Sequence, residues 1–317
     1  MIISDLPDWE KEEYHNYEQT IEKINSLKEK YYDLLSFFPI GKSVLGKDIL
    51  CVKIKSKNKA KYSCLIDGCI HGSEWESGEL CLYFLESLLK NYGKDKNLSK
   101  VMDMSEINVI PILNPDGRQK DRRWNENGVD LNRNFDVHYG RIFGGSVKRT
   151  KSKDKFTNLW FFINCGKKAF SEPETLSFKE YTEILNQKNF SFYVNCHTAS
   201  QKIISPTKIM INPQYSLKKE EKEIFNYAKN EISKITPYEN KESISLFGYG
   251  NACDWIFKEY RIPSFNLELL SKDYTAGFGK GKHDKLNYWM KKSIPALKYL
   301  LQNIEKFDKW KVPNIKI

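Results

Sequence analysis

Residues 62–74 read YSCLIDGCIHGSE, an apolar run that ends at a histidine and, three residues later, a glutamate. The run 62–70 has the composition of a strand that is buried on both faces. Residues 74–91 then place leucines and aromatic residues at helical spacing. A buried strand that leads directly into a helix predicts an α/β unit, with His71 and Glu74 at the turn between them.

The same alternation continues along the chain. Further strands are predicted at 107–113, 192–196 and 264–269, and helices at 174–187, 217–235 and 283–305. This order predicts an α/β fold with a largely parallel or mixed sheet. Because neither a Gly/Ser linker nor an internal repeat interrupts the chain, we expect one domain over 1–317, with a short helical lead-in at about 8–35. The lysine-rich stretch 147–155 is expected to be an exposed loop.

Polar groups follow each predicted strand. Asn114-Pro115-Asp116-Gly117 follows the second strand, His197 follows the third, and Glu268 lies near the end of the fourth. Loops beyond the carboxyl ends of strands in open α/β sheets converge on one crevice. The topology therefore predicts that these sites are neighbours of His71 and Glu74.

Two of the five histidines end apolar strands, and they are the candidate metal ligands. His15, His138 and His283 lie in polar or irregular surroundings and are expected at the surface. His71 and His197, together with Glu74, offer two imidazoles and one carboxylate. This is a ligand set typical of catalytic zinc, which keeps one position open for water. We expect one Zn²⁺ per chain.

A hydrolytic zinc site also needs a base that is not a ligand, because bound zinc lowers the pKa of its water to about 7 but does not remove the proton by itself. Glu268 is the candidate, since it is a carboxylate in an otherwise apolar strand. The alternative is a strand residue that faces solvent. Asp130 is a candidate acceptor for the second ring N–H of a zinc histidine. It is also a candidate for the residue of an Asx turn, and the two roles are compatible.

Composition argues against two other classes of protein. Of 51 basic residues, 44 are lysines that alternate with 41 acidic residues, which is typical of a solvated surface rather than a nucleic-acid site. Six of the seven arginines fall within residues 118–149, which indicates positions where a planar bidentate donor is needed. No segment approaches the roughly 18 apolar residues of a membrane span.

The seven cysteines form no C-x-x-C pair, and several lie in apolar runs. Buried reduced thiols are the favoured interpretation, and they indicate a cytoplasmic protein. The N-terminal segment is acidic and lacks a basic region followed by an apolar run, so we expect no secretory signal. The sequence leaves the oligomeric state open.

The ordered motifs resemble the M14 family of zinc carboxypeptidases, the carboxypeptidase A-like metallopeptidases. The resemblance includes HGSE at 71–74, NPDG at 114–117, GVDLNRNF at 128–135, NCHT at 195–198 and FNLE at 265–268. It implies a single domain with a mixed, mostly parallel eight-stranded sheet flanked by helices. It also implies one zinc held by His71, Glu74 and His197, with Glu268 as the general base.

Further roles follow from the resemblance alone. Arg123 resembles the arginine that stabilises the oxyanion, and its spacing to Asn125 fits better than that of Arg122. Asn132 and Arg133 resemble the pair that binds the terminal carboxylate of the substrate.

Two positions depart from the family pattern. Tyr249 is the nearest tyrosine to the family's substrate-capping position, but it lies closer to Asp254 than the family spacing expects. Cys253 occupies the position that tunes the side-chain pocket. Because it carries no charge, selection of charged C-terminal residues through that position is not supported.

These observations predict a zinc metallocarboxypeptidase that removes the C-terminal residue of a peptide with a free carboxylate, without a nucleic-acid or membrane partner. Two alternatives remain open. One is an amidase that cleaves the γ-D-glutamyl–diaminopimelate bond of murein peptides. The other is a metal-binding pseudoenzyme that recognises peptide C-termini.

Overall fold

The computed structural model describes residues 14–139, 141–142, 145–146, 164–206, 217–240, 249–270 and 285–309. The strands are β1 (Leu35–Lys42), β2 (Asp48–Ile54), β3 (Tyr62–Asp67), β4 (Ser105–Ile110), β5 (Arg141–Ile142), β6 (Gly145–Ser146), β7 (Phe190–Thr198), β8 (Lys202–Ile204) and β9 (Ser264–Leu269). The helices are α1 (Tyr17–Lys30), α2 (Trp75–Asn91), α3 (Lys96–Met102), α4 (Pro115–Gln119), α5 (Pro173–Asn186), α6 (Lys219–Ile235), α7 (Ala252–Tyr260), α8 (Leu286–Gln302) and α9 (Ile304–Lys309). A 3₁₀ turn spans Leu131–Arg133.

Seven of these strands form one mixed sheet in the order β1-β2-β4-β3-β7-β9-β8, and β5 and β6 form a separate ribbon. The four central strands, β4, β3, β7 and β9, are parallel to one another. The outer pairings β1–β2, β2–β4 and β8–β9 are antiparallel.

The mixed α/β sheet is therefore confirmed, with seven strands in the described residues where the resemblance implied eight. The sheet is also less parallel than expected, because β1 and β2 are joined by a short hairpin, and such a connection requires antiparallel strands. Gly46, at φ 81°, lies in that hairpin.

Most predicted strand positions agree with the structure. The strand predicted at 264–269 matches β9, and β7 includes His197. The strand predicted at 107–113 instead ends at Ile110, one residue before Pro111. Proline has no N–H to donate to a neighbouring strand, and this accounts for the earlier end. The lysine-rich stretch 147–155 and His283 lie outside the described residues.

Helices cover both faces of the sheet and bury its apolar side chains. One core contains residues of α1, α2, α3, α6, α8 and α9. The other contains residues of α5, α7 and the segment around Phe135. Strands β3 and β7 are neighbours, yet the chain continues from β3 to β4 on one side and from β7 to β9 on the other. Such a switch point leaves a crevice at the carboxyl ends of the two strands, and both predicted histidine ligands lie there.

The N-terminal segment is fixed to α2 by a buried ionic cluster. Arg118 is 1% exposed, and its Nη2 donates to Glu79 over 2.7 Å. Its guanidinium also lies 3.8 Å from the ring centroid of Trp75. The Nδ1 atom of His15 lies 2.8 Å from the other oxygen of Glu79. The prediction that His15 is a surface residue is therefore wrong, because α2 carries a buried carboxylate that binds it.

All seven cysteines are free, and six of them are buried. This confirms the prediction of unpaired, mostly buried thiols. Among the described residues, no helix combines the length and the apolar character that a bilayer crossing requires.

Candidate active site

Three buried side chains converge at the carboxyl ends of β3 and β7. Nδ1 of His71 lies 2.7 Å from Oε1 of Glu74, and Nδ1 of His197 lies 2.9 Å from Oε2 of the same carboxylate. One ligand atom from each residue lies within 4.8 Å of the other two. Two imidazole nitrogens and a carboxylate oxygen are donors that zinc prefers. The three residues therefore fit a single zinc ion.

The turn that carries His71 and Glu74 packs tightly against the start of α4. A Cβ atom on Gly72 would lie 2.1 Å from the carbonyl carbon of Gly117, so the two backbones approach as only glycine allows. Asn114 caps α4 by accepting from the N–H of Gly117 over 2.9 Å. The NPDG motif thus holds the ligand-bearing turn in place.

Glu74 and His197 shift each other's pKa values toward the charged forms. Burial alone would raise the pKa of the Glu74 carboxyl, but His71 and His197 hold that pKa well below its usual range. Burial would lower the pKa of His197, and the adjacent Glu74 carboxylate raises it instead. Glu74 is therefore ionised at neutral pH, as a metal ligand must be.

Asp130 contacts the outer side of the His71 ring. Its Oδ1 lies 3.1 Å from Nε2 of His71, and its backbone precedes the 3₁₀ turn. Burial opposes ionisation of Asp130, but Arg123 and His71 hold its pKa well below the usual value. The same oxygen accepts from the N–H of Asn132 over 3.1 Å. The orienting contact and the Asx turn, proposed from sequence as compatible alternatives, are both present.

Glu268 lies directly beside the ligand cluster without joining it. It stands opposite His197 in the register between β7 and β9. The side chain is partly buried, and its carboxylate makes no hydrogen bond or ion pair with the described residues. Burial raises its pKa, and the negative charge of Glu74 adds to this while His197 opposes it. A partly buried carboxyl with a raised pKa and no hydrogen-bond partner in the described residues is a candidate acid–base group.

The structure brings Arg123 to the cluster and leaves Arg122 exposed. Nε of Arg123 donates to Asp130 over 3.1 Å, and Nη1 donates to Glu74 over 3.4 Å. Its Nη2 makes no hydrogen bond with the described residues. Burial would lower the pKa of Arg123, but Asp130 and Glu74 raise it.

Asn132 and Arg133 lie beside the same cluster. The amide oxygen of Asn132 accepts from Ala252 over 2.9 Å, and its nitrogen lies 3.2 Å from Nε2 of His197. Nη1 of Arg133 donates to the carbonyl of Asn132 over 2.6 Å. Nε of Arg133 is buried without a hydrogen-bond partner in the described part of the chain. A buried guanidinium N–H without a partner is costly, and an anionic acceptor would remove that cost.

No described contact joins two of the predicted substrate-binding residues, Tyr249 and Cys253, to the ligand cluster. The Tyr249 ring packs edge-on against His138, with ring centroids 5.8 Å apart, and makes no described contact with the ligands or Glu268. His138 is itself partly buried rather than exposed, which corrects its prediction as a surface residue. Cys253 is fully buried, and its carbonyl accepts from Ser264 over 2.9 Å. The assignment of both residues to the substrate stays a prediction.

A set of polar residues on the same sheet face was not predicted from sequence. Asp67, Asn195 and Asn266 lie on β3, β7 and β9, opposite one another in register. The available signal was period-two spacing. Asn195 precedes His197 by two residues, and Asn266 precedes Glu268 by two residues, so each pair shares a face.

Comparison with known proteins agrees with this geometry. Carboxypeptidase B2 of Bos taurus is 28% identical over 285 residues, which cover 82% of this chain and 64% of that protein. The crystal structure of thrombin activatable fibrinolysis inhibitor is 25% identical, has a TM-score of 0.76, and is matched over 93% of this chain and 75% of that one. The chain spans less than two thirds of the length of the curated relatives carboxypeptidase B2 of Bos taurus and mast cell carboxypeptidase A of Rattus norvegicus.

A murein-tripeptide amidase, MpaA from Escherichia coli O157, shares the fold. It has a TM-score of 0.53 at 20% identity, over 84% of this chain and 92% of that one. The sequence model of the zinc carboxypeptidases matches residues 20–289 of this chain, which is most of its length. This chain belongs to the zinc carboxypeptidase family, Peptidase M14.

Proposed function

We propose that this chain is a zinc-dependent carboxypeptidase that hydrolyses the C-terminal peptide bond of peptides with a free terminal carboxylate. The observation that carries the proposal is the position of Glu268. It lies opposite the ligand His197, and its carboxylate has no partner among the described residues. Membership of the zinc carboxypeptidase family supports the same reaction.

His71, Glu74 and His197 would hold the zinc ion, one per chain. When bound, zinc supplies Lewis acidity that polarises a carbonyl and lowers the pKa of a water molecule. Asp130 holds the ring of His71 from its Nε2 side, which leaves Nδ1 to face the metal position. Such outer contacts fix the orientation and the tautomer of a ligand histidine.

Glu268 is the general base in this proposal. Its carboxylate takes a proton from the attacking water and returns one to the departing amine nitrogen. Burial raises its pKa, so the carboxylate is more basic than one in water and a better proton acceptor near neutral pH.

Arg123 would bind the carbonyl oxygen of the scissile bond, and Arg133 would bind the terminal carboxylate of the residue that is released. Two N–H groups of Arg123 are committed to Asp130 and Glu74, and its Nη2 is left for the developing oxyanion. The unpaired Nε of Arg133 is left for the terminal carboxylate. Because Arg133 would bind a terminal carboxylate while Arg123 stabilises the oxyanion, the bond next to a free C-terminus would be cut and an internal bond would not.

We also propose that the protein resides in the cytoplasm. Seven free thiols support this, since such thiols persist in a reducing compartment. Fractionation of the source cells, followed by immunodetection, tests the location.

Mass spectrometry of a mixed peptide pool tests the activity. The pool contains free-acid peptides, their C-terminally amidated forms and murein tripeptide, and each is incubated with zinc-loaded and chelator-treated protein. Loss of single C-terminal residues from free-acid peptides, only with zinc, is expected. Cleavage of murein tripeptide alone would establish the amidase alternative. Peptide binding without any cleavage would establish the pseudoenzyme.

A further inference from the structure

A row of three polar side chains borders the candidate catalytic pair. Asp67, Asn195 and Asn266 stand opposite one another on three neighbouring parallel strands. Asn195 lies two residues before His197, and Asn266 lies two residues before Glu268. Because side chains alternate between the two faces of a strand, the row lies on the catalytic face of the sheet.

Asp67 determines the orientation of the first amide. Nδ2 of Asn195 donates to Oδ1 of Asp67 over 2.6 Å. The Tyr193 hydroxyl lies 3.1 Å from each oxygen of the same carboxylate. Asp67 is therefore supplied with donors from within the protein, and the amide oxygen of Asn195 is turned away from it.

Two amide oxygens in the row remain without donors. Oδ1 of Asn195 and Oδ1 of Asn266 are buried, and neither has a hydrogen-bond partner in the described part of the chain. Facing asparagines could bond to each other across the strands, but these two do not. A buried polar atom left unsatisfied costs about 1–3 kcal/mol, so folded proteins seldom keep one without a use.

The unpaired groups around Glu268 are complementary to a particular kind of amino acid. Arg133 offers an unpaired donor, which suits the terminal carboxylate, whereas Asn195 and Asn266 offer unpaired acceptors. Since Cys253 carries no charge, it does not set a preference of this kind. We infer, on the basis of the function proposed above, that Asn195 and Asn266 select a C-terminal residue whose side chain ends in N–H donors.

A side chain that ends in an amide or an ammonium supplies such donors, whereas an aliphatic or carboxylate side chain supplies none. The aliphatic or acidic side chain would leave both amide oxygens unsatisfied in the complex. Sites built to bond a donor reject an analogue that lacks it by factors of up to about 10⁴–10⁵, and simple pockets by about 10–200. We expect a preference of at least about 100-fold in kcat/KM.

Two pairs of matched peptides test the preference. Peptides that end in glutamine or glutamate compare an amide with a carboxylate of the same shape. Peptides that end in lysine or norleucine compare the same four-carbon side chain with and without a terminal ammonium. Each is assayed by release of the terminal residue from zinc-loaded protein. The two pairs also separate amide recognition from ammonium recognition.

Asn266→Leu is the diagnostic variant, because the Asn266 side chain makes no hydrogen bond within the described residues and its loss breaks none. It should lower kcat/KM for the donor-bearing peptides by about tenfold or more and leave that for norleucine equal or higher. Asn186→Leu, at the exposed end of α5, is the matched control and should change neither. Asn195→Leu should act in the same direction as Asn266→Leu, but it also removes a donor to Asp67.

A binding measurement separates this inference from the proposed reaction. Calorimetry with the zinc-loaded Glu268→Gln protein measures affinity for the same four peptides without turnover. Preferential binding of the donor-bearing peptides supports the inference even if the wild type cleaves none of them. A lack of cleavage would refute only the proposed hydrolysis. Equal cleavage and binding within each pair, an Asn266→Leu variant with an unchanged preference, or no detectable binding of any peptide overturns the inference.

Discussion

Replacement of Arg133 by alanine should lower the cleavage of free-acid peptides and so reduce the preference for a free C-terminus. In the structure, Nη1 of Arg133 already donates to the carbonyl of Asn132, and the buried Nε has no partner in the described residues. Burial lowers the pKa of Arg133, while the nearby Asp130 opposes that effect. A terminal carboxylate would therefore bind a guanidinium that is poorly hydrated and still has an N–H group, at Nε, without an acceptor.

The size of the effect follows from this burial. Truncating one member of a desolvated, hydrogen-bonded charge pair costs about 2–5 kcal/mol. Arg133 is only partly buried, so the lower part of that range applies, at about 2–3 kcal/mol. At about 1.4 kcal/mol per factor of ten, kcat/KM for a free-acid peptide should fall by about 30- to 150-fold.

A two-by-two comparison isolates the carboxylate contact. The wild type and Arg133→Ala are each assayed on one peptide as the free acid and as the C-terminal amide. The wild type should process the amide poorly, and the substitution should change that rate by less than about threefold, since the lost charge pair is already absent. Arg122→Ala removes an exposed arginine nearby and should leave both rates unchanged.

Equal losses on the free acid and the amide would refute the reasoning, because Arg133 would then act on the fold or on the peptide bond rather than on the carboxylate. A wild type that cuts both peptides equally well would favour an endopeptidase.

Three further predictions concern the metal and the stability of the fold. Purified protein should hold about one zinc per chain by elemental analysis, and His197→Ala should lose most of it; full retention would remove His197 from the ligand set. Burial raises the pKa of Asp67 to about 7, so in metal-free protein this group's contribution to the free energy of unfolding is present at low pH and is lost as pH rises from about 4 to 7. Asp67→Asn should flatten that dependence by up to about 4 kcal/mol in denaturant titrations, whereas parallel curves for the two proteins would contradict the shift. Arg118→Met leaves Glu79 buried without its cation and should lower the free energy of unfolding by about 3–5 kcal/mol. Lys42→Met, at the exposed pair with Asp48, should lower it by less than about 1 kcal/mol. Similar losses for the two variants would show that the buried Arg118–Glu79 pair does not stabilise the fold.

Much of the site could be predicted from sequence because its residues occupy positions that topology determines. His71 and His197 lie at the ends of buried strands, and parallel neighbours bring such ends together. Glu268 was distinguishable because a carboxylate interrupts an apolar strand.

Other features depend on contacts that no local pattern encodes. The environment of His15 is determined by Glu79, which is 64 residues away and buried in α2. Asn195 and Asn266 lie within the NCHT and FNLE motifs, but their common row is visible only once the register of β7 and β9 is known. Arg122 and Arg123 are adjacent, and in the sequence only their spacing to Asn125 distinguishes them. In the fold, Arg122 is exposed and Arg123 donates to Asp130.

The most direct test of the central claim is the turnover of zinc-loaded Glu268→Gln, with zinc content measured on the same sample. The glutamine side chain would keep the shape of the native one but could not accept a proton, and Glu268 is not among the three ligands. The release of C-terminal residues should fall by at least about 100-fold relative to the wild type, while each chain keeps its zinc. Turnover near the wild-type rate with zinc retained would contradict the assignment of the base, and loss of zinc would place Glu268 among the ligands.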